Sequence, residues 1–239
     1  MTTDLALLQN TLPADVRAML AANIAKDIDR LGAIGGKDVI TVTQDKQFSL
    51  PDGTLLPELN AVIVDFVYRN EYYLGAFNRK AIQPPACFAI SDAAASLTPS
   101  PNSPMQQCAT SCATCQQNQF GSSPTGDGKA CKNTVYLALV QPDAGPDAPI
   151  LLLKTSPTAV KPFNGFVSKV ARVAGLPINA IVTKLGFDSA SKYASVRCEV
   201  VGANEDYTQT VTRVEEARKR LMQEPDISSF ELPKGTTKS

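Results

Sequence analysis

Three cysteines dominate the chemistry available to this chain: Cys112-Ala-Thr-Cys115 and, sixteen residues on, Cys131. A Cys-x2-Cys pair places two sulfurs on one tight turn, close enough for a single tetrahedral ion. A third thiolate after a flexible loop can close over the same ion. The segment between is polar and glycine-rich and offers no apolar surroundings in which a thiol would serve as a small core residue. Cys87 and Cys108 are both candidates for a fourth ligand, whereas Cys198, in a strand pattern, reads as a buried hydrophobe. The 239 residues contain no histidine. That removes Ser-His-Asp and Cys-His catalysis, HExxH proteases and every zinc site with an imidazole ligand. A zinc ion here is held by sulfur, or by sulfur plus a carboxylate. An all-thiolate site has no open position for water, so its role is structural and the chain is not expected to be an enzyme.

The second chemistry is basic and aromatic. Net charge is zero, with 23 basic and 23 acidic side chains, but they are unevenly spread. Between Lys154 and Arg197 seven basic residues face one acid, Asp188. Such a segment can meet a polyanion. Tyr72, Tyr73 and Phe77 lie among Arg69, Asn70, Arg79 and Lys80. Phe187 and Tyr193 lie among Lys184, Lys192 and Arg197. Aromatics interleaved with bases suit base stacking with phosphate contact. Gly121–Gly128 lacks the spacing of a phosphate loop, and Asp65 has no partner acid at a recognisable spacing.

These residues need elements to position them. Residues 1–35 predict a helix, with Thr11 as N-cap, Val16, Leu20, Ile24, Ile28 and Leu31 as the apolar stripe and Gly32 as the stop. A period of two follows from Val39. Pro51-Asp-Gly53 is a turn, and Ala61–Arg69 is apolar on both faces and therefore a central strand. Residues 81–130 show little periodicity and read as a long loop that a metal would have to organise. Residues 135–140 and 150–153 form a hairpin. Ser156-Pro157 opens a helix whose stripe is Val160, Phe163, Val167, Val170 and Ala174, with Lys161, Lys169 and Arg172 opposite and Gly175 at its end. Residues 180–185 and 193–201 pair around a second turn. A last helix runs from about Thr210 to Met222, with Thr212 and Glu215 as a capping box. The pattern is mixed α and β with mostly antiparallel strands, compatible with a closed or half-closed barrel.

Pro85-Ala-Cys87-Phe-Ala, Cys112-x2-Cys115-x2-Asn118-x-Phe120-Gly-Ser122 and Gly128-Lys-Ala-Cys131-Lys-Asn resemble a bacteriophage family of zinc-containing proteins similar to single-stranded DNA-binding proteins. The turn at 52–53, the strand at 61–69 and Ser156-Pro157 extend the resemblance over residues 50 to 225. It implies an α+β fold: a mostly antiparallel OB-like β-barrel with helices and a zinc-stabilised loop insertion. The expected division is an N-terminal helical segment over 1–35, one OB-like domain over 36–225 with the insertion at 81–134, and a disordered tail over 226–239.

The resemblance also implies structural zinc on Cys87, Cys112, Cys115 and Cys131, with Cys108 as the substitute. Gln116 stands where proline is usual, and the tail lacks an acidic tip ending in phenylalanine. The expected function is non-specific single-stranded DNA binding in phage replication or recombination, within the host cytoplasm, alongside phage replication proteins. The expected contacts are Tyr72, Tyr73, Phe77, Arg79, Lys161, Lys169, Arg172, Lys184, Phe187, Lys192, Tyr193 and Arg197. The alternative is a zinc-stapled phage adaptor that binds a protein and no nucleic acid. No run is long and apolar enough for a membrane span, and no basic-then-apolar leader opens the chain.

Overall fold

The computed structural model describes residues 38–75, 83–108, 110–124, 126–143 and 145–232. The helix expected over 1–35, together with Phe77, Arg79 and the tail from 233, lies outside the described residues.

The strong apolar run became the spine of the molecule. Strand β4 spans Leu59–Tyr72, fourteen residues, and three neighbours share its two edges. The other strands are β1 (Val39–Val42), β2 (Phe48–Ser49), β3 (Leu55–Leu56), β5 (Cys87–Ser91), β6 (Lys132–Val140), β7 (Leu151–Lys154), β8 (Ile181–Phe187) and β9 (Val196–Ala203). They form one curled sheet, a half-barrel, in the order β3-β2-β1-β7-β6-β4-β8-β9, with β5 added to β4. Among the described residues only β1 and β7 run parallel; every other pair is antiparallel. The two hairpins expected from the sequence are the β6–β7 and β8–β9 pairs. The turn expected at 51–53 is also formed: Gly53 adopts φ 86°, a conformation open to glycine, and Leu50 N–H donates to Thr54 O.

β4 is apolar on both faces because both are covered. Ala61 and Ile63 pack with Val135, Leu137, Leu139, Leu151, Leu153 and Leu185 beneath helix α1 (Val160–Lys169), whose Phe163 is 3% exposed. Val62, Val64 and Val67 pack with Ala138, Val140 and Ile150 beneath helix α3 (Val214–Leu221), through Ala217 and Leu221. Emptying the Phe163 position would cost about 3–5 kcal/mol by the usual cavity arithmetic. A bulge between Ile63 and Asp65 shifts the β4–β6 register and exchanges the two faces beyond it, so that Phe66 and Tyr68 follow Ile63 toward α1.

Two expectations change. The last helix is two: α2 (Tyr207–Thr212) and α3, broken at Arg213, and neither has a side-chain cap, so the expected capping box does not form. The loop expected over 81–130 contains β5, whose five residues pair with Tyr68–Tyr72. Its Cys-Phe-Ala-Ile-Ser sequence is too short to show a period between prolines. Residues 226–232 carry one turn, Phe230 N–H to Ile227 O. Among the described residues no helix is long and apolar enough to cross a membrane.

Candidate nucleic-acid interface and thiol cluster

Antiparallel pairing brings the ends of three strands together. β4 ends at Tyr72, β5 begins at Cys87 opposite it, and β6 begins at Lys132 opposite Glu71. Around this end Cys87, Cys108, Cys112, Cys115 and Cys131 line one cavity of about 10 Å³, with Asn70, Tyr72 and Asn118. All five are free thiols, and Cys87, Cys112, Cys115 and Cys131 are buried.

The knuckle is built by polar side chains acting on backbone. Asn118, 8% exposed, donates from Nδ2 to Cys112 O at 2.7 Å, and its own N–H donates to Cys115 O at 2.9 Å. Ser122 Oγ donates to Gln117 O at 2.9 Å and accepts from Ala130 N–H at 3.0 Å, which brings the Cys131 segment back across the loop. Cys131 N–H then donates to Gln117 O at 2.8 Å. These bonds give Asn118 and Ser122 of the cysteine block a physical reason.

Burial pushes the Cys131 thiol up to about 12, helped by Cys112, Cys87, Cys115 and Cys108. Burial does the same for Cys108, also to about 12, reinforced by its hydrogen bond with Cys115. Burial and the neighbouring thiols therefore hinder the ionisation of Cys108 and Cys131, and a bound cation would oppose that hindrance. The donor set is all sulfur and suits zinc. Among the described residues, no group of three or more Cys, Asp or Glu side chains stands ready-made as a metal-holding set.

Beside this cluster lies a charged network on the same strand ends. Glu71, 4% exposed, accepts from Lys154 Nζ at 2.5 Å, Tyr73 OH at 2.9 Å and Tyr136 OH at 3.1 Å. Arg69 lies over the Tyr136 ring at 4.2 Å and donates to Leu221 O and Gln223 O, tying the network to the end of α3. Burial works to raise the Glu71 carboxyl, but Lys154, Tyr73 and Arg69 outweigh it and hold the group below its ordinary value. Burial likewise opposes the Lys154 ammonium, and Glu71 outweighs that and raises it.

Lys154 and Tyr136 open onto a groove. β1 and β7 share only two residue pairs, Val39–Leu152 and Ile40–Leu153. At this short ladder lies a groove of about 830 Å³. Its charged lining is Lys132, Lys154 and Lys192; its aromatic lining is Tyr136 and Tyr193, the latter 63% exposed. Thr41, Thr43 and Gln44 supply neutral polar groups. Among the described residues, no acidic side chain lines it.

The expected contact residues divide accordingly. Lys192 and Tyr193 reach the groove. Tyr72 is half-buried beside the thiols. Tyr73 is half-buried, and its hydroxyl is engaged with Glu71, so its ring does not stand as an open platform. Phe187 stacks on Phe48 at 4.5 Å and packs against the core. Lys184 pairs with Glu58 and Glu199, and Arg197 with Asp188. Lys161, Lys169 and Arg172 are exposed as their spacing predicts, but none of them lines this groove. Lys169 borders a second, mostly apolar groove between α1 and β9.

Lys132, Tyr136 and Lys154 escaped the sequence reading. Tyr136 sits in the hairpin read over 135–140 and 150–153 and the two lysines flank it; only the β4–β6–β7 pairing brings them together. Compared with known proteins, the chain matches no family model, no curated protein and no solved structure.

Proposed function

We propose that this chain binds single-stranded DNA without sequence specificity, as a phage replication or recombination protein acting in the host cytoplasm. The observation that carries this reading is the groove: three lysines and two tyrosines converge on it and no acid lines it among the described residues. Phosphates would meet Lys132 and Lys192 while a base stacks on Tyr193, the combination by which single strands are held; Lys154 and Tyr136, engaged by Glu71 and Arg69, form the wall behind them. The curled sheet agrees with an OB-like barrel, and the resemblance of the cysteine block supplies the phage context. One structural zinc on Cys87, Cys112, Cys115 and Cys131 completes the reading, with Cys108 as the spare thiol on the same cavity.

The test is an anisotropy titration of labelled single- and double-stranded oligonucleotides at two salt concentrations. The expected result is preference for the single strand, with affinity falling as salt rises by a slope of about 0.7 per phosphate contact. Equal affinity for duplex, or no binding at low salt, would reject the reading.

The adaptor alternative has one observation in its favour. Val173, Leu176 and Val200 stand exposed around the α1–β9 groove, an apolar surface that suits a protein partner.

A further inference from the structure

Phe120 is 83% exposed, the most exposed large hydrophobic side chain among the described residues. Nothing packs its ring into a core. It is nevertheless held in place. Gly121 adopts φ 87°, and its N–H donates to Gly128 O at 3.0 Å. Gln119 donates from Nε2 to Ala113 O at 2.9 Å and to Cys115 O at 3.1 Å. The residues on either side of Phe120 are thus fastened to the knuckle, and the ring is carried outward on a braced turn. Ordering such a ring costs little at the moment of binding.

A cation accompanies it. Lys129 Nζ lies 5.3 Å from the Phe120 ring centroid, and the same ammonium donates to Asn118 Oδ1 at 3.2 Å. Lys132 Nζ in turn donates to Lys129 O at 3.1 Å, and Lys132 lines the groove. Groove and ring are therefore joined by a chain of direct contacts: Lys132 to Lys129, and Lys129 to Phe120. An aromatic face beside an ammonium, continuous with a lysine-lined groove, has the make-up of one more nucleotide position.

We propose that the cysteine knuckle is itself part of the nucleic-acid track: a single strand leaving the groove at Lys132 passes onto the knuckle, where Phe120 stacks a base and Lys129 meets a phosphate. This rests on the single-strand reading of the groove and extends it. The knuckle thereby acquires a ligand contact of its own, beyond any staple.

The chain contains no tryptophan, so Phe120→Trp creates a sole reporter at this position. The full chain is titrated with an oligothymidylate of about 15 nucleotides, near the upper end of single-fold site sizes. Binding is followed by anisotropy of a label on the oligonucleotide, and stacking by tryptophan emission. The expected result is quenching of Phe120→Trp emission that saturates with binding, and a roughly 5- to 150-fold loss of affinity in Phe120→Ala, the range of one base–aromatic stack. Because the side chain is exposed, neither substitution removes core. Emission unchanged at saturation, with Phe120→Ala within about twofold of wild type, would overturn the proposal and leave the groove reading standing. Absence of binding by the wild-type chain would remove both.

Discussion

Lys46 donates from Nζ to Ser191 O at 2.8 Å and to Asp188 O at 3.0 Å, across more than 140 residues of sequence. Lys46 sits at the turn between β1 and β2 with φ 57°, the left-handed conformation that turns the chain there. The β8–β9 loop it grips carries Lys192 and Tyr193. Phe48 on Phe187 closes the same junction from the core side. One side of the groove is thus held to the other by a lysine that does not itself line it.

Lys46→Ala is therefore expected to weaken oligonucleotide binding by about tenfold or less, the cost of ordering a loop at the moment of binding, roughly 0.5–1.5 kcal/mol. Amide exchange at 189–195 should quicken in the free variant. Unchanged exchange there would show that the loop holds itself.

Within the groove, stacking and charge separate by their salt dependence. Tyr193→Ala should cost about 1–3 kcal/mol and leave the salt slope unchanged. Lys132→Ala and Lys192→Ala should each lower the slope by roughly 0.7. Lys184→Ala and Arg197→Ala should change it much less, since Glu58, Glu199 and Asp188 already engage those cations. Titrations at three salt concentrations decide the matter; a full slope change from Lys184 would place the strand along β8 instead.

Glu71 links stability to pH. Its carboxyl is held below its unfolded value of about 4.3, so its contribution is complete above that pH and is lost as pH falls through the lower, folded value. Lys154 shifts the other way; its contribution is complete below about 10.4 and is lost only as pH rises through a still higher value. Between these limits Glu71→Gln should destabilise by about 1–2 kcal/mol, kept modest because the Lys154 side chain is 41% exposed and screened. Urea midpoints of wild type and variant should converge toward pH 3. A constant gap across that range would show that the pair contributes no linked charge.

For the thiol cluster, elemental analysis of protein purified without chelator should return about one zinc per chain, because a tetrahedral structural site takes one ion. Cys112→Ser and Cys87→Ser should lower it, and Cys108→Ser should not. Reversed results for the last two would make Cys108 the fourth ligand. Metal-free, fully folded protein would dismiss the ion altogether.

The sequence was most legible where one physical rule governed. The 61–69 run, apolar on both faces apart from Asp65 and Arg69, read as a strand covered on both faces, and it is. Gly175 ends the π-helical turn that follows α1 in the left-handed conformation its position required. Phe163 and Val170 are buried as the helical stripe predicted. The groove was not legible because it is made of pairings. Lys132, Tyr136 and Lys154 become neighbours only when β6 lies between β4 and β7. Nor could spacing show that the Tyr73 hydroxyl would be taken by a buried carboxylate, or that Phe187 would find Phe48. The first contact spans two residues, but its carboxylate is buried only once β4, β6 and β7 pair; the second joins residues more than 100 apart.

The bulge in β4 also sets how this gene can change. Val64 is the residue by which β4 outruns β6. Strand side chains alternate, so everything downstream depends on that one extra count. Losing a single codon there would turn Phe66 and Tyr68 from α1 toward α3, and would turn Arg69 and Glu71 away from Leu221 and Lys154. Insertions in the turns beside it cost only loop entropy. The middle of β4 therefore admits substitution but no change of length, and it keeps the apolar half of the strand in phase with its charged end beside the thiols.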